Sequence, residues 1–101
     1  MRMMMHVTLP HEPFNAAVKD GSVGAKMKRI LDQMKPEAAY FTASGGRRSA
    51  HLIIDLADPS KIPSLAEPWF LTFNADIEIQ PTMTLQDLGA AGLDTLGKEW
   101  A

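Results

Sequence analysis

Residues 37–56, EAAYFTASGGRRSAHLIIDL, read as two strands folded back on each other at Gly45-Gly46. Two glycines tolerate the positive φ values that a two-residue hairpin turn requires. With strands at 37–43 and 48–56 and Ser44 facing Arg47, Tyr40 lies directly opposite His51, and Thr42 opposite Ser49. A symmetric widening of the loop preserves that register. Successive side chains of a strand point to opposite faces. Ala39, Phe41, Ala50, Leu52 and Ile54 therefore share a face suited to a core. His51, Ile53 and Asp55 share the other face with Tyr40. One side of the hairpin is apolar, and the other carries titratable groups.

Working outward, residues 2–9 alternate in the same way. Met3, Met5, Val7 and Leu9 fall on one face, and Met4, His6 and Thr8 on the other. Pro10 ends that strand, and Pro13 suits the first turn of a helix, where its missing N–H costs nothing. Phe14, Ala17, Val18, Val23, Met27, Ile30, Leu31 and Met34 follow with helical spacing. Gly21 and Gly24 predict a soft spot or break near Asp20-Gly21, and Pro36 closes the segment. Asp58-Pro59 breaks the later strand of the hairpin. A second helix spans roughly 61–73, with Ile62, Leu65, Ala66, Trp69, Phe70 and Phe73 as its stripe. Pro68 requires that helix to kink or restart. Residues 75–80 alternate again, with Ile77 and Ile79 inward and Asp76, Glu78 and Gln80 outward. Thr84-Leu85-Gln86-Asp87 matches a capping box. The helix it opens presents Leu85, Leu88, Ala91, Leu96 and Trp100.

The element order is β-α-β-β-α-β plus a terminal helix, an α+β pattern of the ferredoxin-like split βαβ type. That arrangement places strands one and three side by side in the centre, read as parallel. Strand four borders strand one, and strand two borders strand three. The 101 residues make one domain, large enough to bury a core without metals or disulfides. Ten basic against twelve acidic residues leave a net charge of −2, which argues against a nucleic-acid surface and against an acidic solvating tail. With no cysteine, thiolate catalysis, thiolate metal sites and disulfides are excluded. MRMMMHVTLP lacks the apolar core of a signal peptide, and no apolar run approaches the ~18 residues of a membrane span. The expected location is cytoplasmic, without a membrane partner. The seven methionines read as adaptable filler in a core or a subunit interface.

Two helices cover only one face of such a sheet. The bare face carries Met4, His6, Thr8, Tyr40, Thr42, His51, Ile53, Asp55, Asp76, Glu78 and Gln80. It is too apolar for a face bathed in solvent and too titratable for a core. That composition predicts contact with a second copy across a partly wet space. His6 and His51 lie on neighbouring strands, with Asp55 and Glu78 on the same face and Tyr40 against His51. A histidine beside a carboxylate moves protons near neutral pH. His6, Tyr40, His51 and Asp55 are thus the candidate acid–base groups. The alternatives are hydrogen bonds across a dimer interface or to buried water, and a divalent metal. No HxH or HExxH spacing supports a metal, and no cofactor is implied. His11, before a helix N-terminus, and Glu78 are candidate ligand contacts. So are Trp69 and Phe73, which read first as core and otherwise as the apolar wall of a pocket. Lys19, Lys26, Lys28, Arg29 and Lys35 read as a solvated helix face, and Arg47-Arg48 as a solubilising turn or an anion grip. The terminal helix, with its Trp, covers part of the bare face or swaps onto a partner.

This topology and half-polar open face resemble the dimeric α/β-barrel superfamily, which includes cofactor-free quinol monooxygenases, muconolactone isomerase and stress-responsive α/β-barrel proteins. The resemblance implies two ferredoxin-like subunits packed sheet to sheet, with ligands in each subunit's cleft between sheet and helices. The stretch from Pro59 through LAEPWFLTFNADIEIQPTMTLQDL resembles uncharacterised bacterial proteins carrying a domain of unknown function. No signature of a characterised enzyme is present, so no catalytic residue carries over. Two functions follow as expectations: a homodimer binding a small organic ligand, with cofactor-independent monooxygenase- or isomerase-like chemistry, or a non-catalytic interaction module.

Overall fold

The computed structural model describes residues 1–101. Four strands, β1 (Arg2–Leu9), β2 (Ala38–Ser44), β3 (Arg47–Asp55) and β4 (Asp76–Pro81), form one sheet in the order β2-β3-β1-β4. The α+β ferredoxin-like expectation therefore stands. Every neighbouring pair is antiparallel, which corrects the expectation that strands one and three run parallel. The reason is a count of reversals. A helical crossover returns β2 in the direction of β1, and the hairpin then turns β3 round, so β3 must oppose β1. The hairpin pairs Ser44 with Arg47 and Tyr40 with His51 as the sequence requires. Gly45 and Gly46 sit at φ 59° and 77°, left-handed values that disfavour side chains with a Cβ.

The crossover between β1 and β2 is two helices, α1 (His11–Asp20) and α2 (Val23–Met34). They part at Gly21, whose φ of 81° ends α1 and whose N–H reaches back to the Val18 carbonyl. Glu12 has extended backbone, so the regular helix begins at Pro13, and the Glu12 carboxylate accepts from the Ala16 N–H at 3.1 Å. A 3₁₀ turn over Pro59–Lys61 leads into α3 (Ile62–Phe73). α3 runs through Pro68 without restarting. The carbonyl that its missing N–H leaves free belongs to Ser64, which is exposed, so water satisfies it.

All three helices lie on one face of the sheet. Beneath them Met3, Met5, Val7 and Leu9 meet Ala50, Leu52, Ile54, Ile30, Trp69 and Phe73 in a single core. At ~1.5–3 kcal/mol for each large side chain buried, this layer holds the fold. Trp69 is fully buried, and its indole N–H donates to Met34 Sδ at 3.2 Å, which satisfies its polar atom. Phe14 packs on Phe73, and the Arg48 guanidinium stacks over Phe14 while bonding Asn15 at 2.8 Å. Arg48 thus ties β3 to α1. Phe41 points to the helix side but stays about half exposed, because β2 is an edge strand.

The C-terminal segment is two short helices, α4 (Leu85–Gly89) and α5 (Leu93–Glu99), separated at Gly92. The expected capping box is present: the Thr84 N–H donates to Asp87 at 2.9 Å, and the Asp87 N–H to the Thr84 hydroxyl at 3.1 Å. The Asp87 carboxyl is held below its ordinary range, by the Thr84 backbone N–H most and by the Thr84 side chain next. No residue from Leu85 onward is buried, and this arm covers neither face of its own sheet. No helix of the chain is long and apolar enough to cross a membrane.

Candidate functional site on the open sheet face

The antiparallel register lines up the open-face side chains in rows across all four strands. One row runs Tyr40, His51, His6, Glu78, each directly opposite the next. Side chains so placed have Cβ atoms ~4.5–5.5 Å apart. The row on one side is Thr42, Ser49, Thr8, Asp76, and that on the other is Ala38, Ile53, Met4, Gln80. A hydroxyl row, a titratable row and a mostly apolar row therefore lie side by side on the bare face.

His6 and His51 stack, with ring centroids 4.4 Å apart and planes within 9°. His6 is half-buried between β3 and β4, and its Nε2 is buried with no hydrogen-bond partner. His51 is exposed, and Tyr40 is 71% exposed at the sheet edge. The row thus offers a phenol, two imidazoles and a carboxylate on one flat surface, groups that donate, accept and relay protons.

The other candidates lie apart from this row. Asp55 is four residues from His51, about 13 Å along the strand. Its carboxylate meets the Met1 amino group at 3.0 Å. Beside it, Arg2 reaches Glu37 at 3.0 Å. His11 is exposed at the start of α1, on the chain leaving β1. Trp69 and Phe73 are fully buried under the helices, on the far side of the sheet from the histidines. No cluster of three or more His, Cys, Asp or Glu side chains has metal-binding geometry.

Neither of two grooves in the surface touches the row. One, of about 670 Å³, runs between α2 and α3 past Lys26, Arg29, Gln33, Glu67 and Leu71. The second, of about 390 Å³, is mostly apolar and lies between α3 and the edge strand β4, lined by Ile62, Ala66, Phe70, Ile77 and Ile79. Sequence reading placed Ile77 and Ile79 inward, and so missed that an edge strand leaves them partly open. It also passed over Ser49, which is buried at 2% exposure in the hydroxyl row. Period-two alternation already put Ser49 on the His51 face, so the signal for it was there.

No curated protein matches the chain. Among solved structures, the de novo designed protein Ferredog-Diesel is similar with a TM-score of 0.48 and 8% identity, over 80% of this chain and 85% of that one. Residues 1–96, which take in the whole sheet, the three packed helices and most of the arm, match the family described as Domain of unknown function (DUF3303), and the chain belongs to that family.

Proposed function

We propose that two copies of the chain pack open face to open face, and that the Tyr40–His51–His6–Glu78 row lines the space between them. There it binds a small organic ligand and moves a proton on it without a cofactor, in monooxygenase- or isomerase-like chemistry. The observation that carries this reading is the buried, unpartnered Nε2 of His6. An unsatisfied buried polar atom costs about 1–3 kcal/mol. Its placement in a row of titratable side chains favours completion by a ligand or by the facing sheet. Support comes from the register, which sets a carboxylate, Glu78, opposite His6 and a phenol, Tyr40, opposite His51, the kinds of partner an imidazole needs for proton transfer. His11, Asp55, Trp69 and Phe73 have at most supporting roles. The absence of cysteine fits a reducing, cytoplasmic setting.

A second reading is a non-catalytic interaction module. It is favoured by the position of the two grooves, both away from the histidines. A thermal-shift screen of small hydroxylated and keto aromatic acids separates the readings, with His51→Ala as the control. The ligand reading expects stabilisation of the intact chain that His51→Ala abolishes. A panel that stabilises neither protein favours the module.

A further inference from the structure

The arm beyond β4 has no partner in its own chain. Leu85 is 86% exposed and Trp100 85%, with Leu88, Leu93 and Leu96 between 40% and 57%. Isolated helices shorter than ~12–15 residues are marginal in water, and α4 and α5 have five and seven. Something must pack on them. The chain is also drawn out, with a radius of gyration of 17.0 Å and extents of 59 × 29 × 19 Å. A compact domain of this length has a radius near ~13 Å. The arm therefore projects away from the body that carries it.

The same chain leaves the apolar groove of Ile62, Ala66, Phe70, Ile77 and Ile79 empty along β4. Thr82 to Thr84 alone separate β4 from α4, so arm and groove spring from one strand. We infer that the arm of each copy docks in this groove of a second copy, seating Trp100 and the leucines against Phe70 and Ile77. A two-fold axis beside β4 makes both contacts at once, which closes the assembly as a dimer. Charge agrees: Lys98 lies two residues before Trp100, Glu67 lines the groove, and neither has an ion-pair partner within its own chain.

The area fits a weak, concentration-dependent contact. Scaled by their exposures, the indole and the four leucines present roughly 250–500 Å² of apolar surface. Both arms together withdraw about 500–1,000 Å², and the small groove adds little, which is the size of a transient protein–protein contact. This clasp shares with the sheet-to-sheet reading only the identity of the partner, and it stands without the histidine row.

The chain has no cysteine, so introduced thiols report on themselves alone. The double variant Trp100→Cys with Phe70→Cys, oxidised in dilute solution, is expected to give a covalent dimer on a non-reducing gel. Each single variant alone is expected to give at most a trace. Trp100→Ala in the full chain is expected to weaken self-association at least tenfold. A double variant whose thiols close within one chain overturns the clasp, as does one that stays reduced. If sedimentation shows a dimer that Trp100→Ala leaves unchanged and no cross-link forms, the clasp fails while the sheet contact survives. A cross-link that persists in an Ile53→Lys background supports the clasp even where the sheet contact is lost.

Discussion

Replacing His6 by Phe isolates the feature on which the functional reading rests. The Phe ring keeps the shape of the imidazole and its stack on His51, and it removes the buried Nε2 that has no partner within the chain. In a single chain that atom is an uncompensated cost of about 1–3 kcal/mol. Its removal should therefore stabilise a dilute, monomeric protein. For a domain near this length, ~1 kcal/mol moves Tm by roughly 4–8 °C, so a rise of at least about 4 °C is expected. In the dimer the sign reverses, because the facing sheet is taken to complete the same atom. Two such atoms lie at each dimer interface, so the loss is about 2–6 kcal/mol. At a factor of ten per 1.4 kcal/mol, self-association should weaken roughly 30-fold to 10⁴-fold. Sedimentation velocity over a concentration series gives the dissociation constant, and melts well below it give the monomer's Tm. An unchanged dissociation constant together with an unchanged Tm would refute the reasoning.

Three further outcomes follow from the fold. Met34→Leu should cost more than its packing alone, because it orphans the Trp69 indole N–H. In a double-mutant cycle with Trp69→Phe, read by urea unfolding, the coupling should be about 1–3 kcal/mol, and a coupling near zero would contradict the contact. Gly46→Ala should destabilise by about 1–2 kcal/mol through backbone strain alone, since φ is 77° and nothing lies within 4 Å of an added Cβ. Asp87 should titrate below the ordinary 3.8 of its type, because the Thr84 backbone N–H favours its charged form. A depressed carboxyl pKa means the α4 cap contributes above the unfolded value and is lost as pH falls through the folded one. An NMR titration of the Asp87 amide should show that loss, and Thr84→Ala, which keeps the backbone N–H, should lessen the depression without removing it.

The sheet was legible because alternation and turn chemistry agree. Met3, Met5, Val7 and Leu9 cannot all be buried unless Met4, His6 and Thr8 face away, and Gly45-Gly46 fixes the hairpin register without reference to the rest of the chain. The direction of β3 against β1 was misread although topology dictates it. The helix does not restart at Pro68, because the carbonyl that the proline frees belongs to Ser64, an exposed residue that water reaches. The histidine row was legible as a face. The stacking of His6 on His51 and the isolation of Nε2 depend on rotamers, which no local pattern encodes. Asp55 shares the strand face with His51 by parity, yet the rise of the strand carries it out of reach. The terminal leucines read as one helix because their spacing is helical. Gly92, at φ 76°, divides that helix, and the isolated chain offers the arm no surface to pack on.

The most direct test of the open face as a meeting surface is the mass in solution of the intact chain beside its Ile53→Lys variant. Ile53 is half-buried on β3 with Met4 opposite, at the centre of the bare face and away from the arm. A lysine there is harmless on a wet surface, whereas between two sheets it is a buried, unpaired charge. With Trp100→Ala in both proteins, so that the arm contact does not hold the variant together, the account predicts about 22 kDa, twice the chain's 11.1 kDa, where Ile53 is kept and half that for Ile53→Lys at the same concentration. The same mass for both proteins would contradict it.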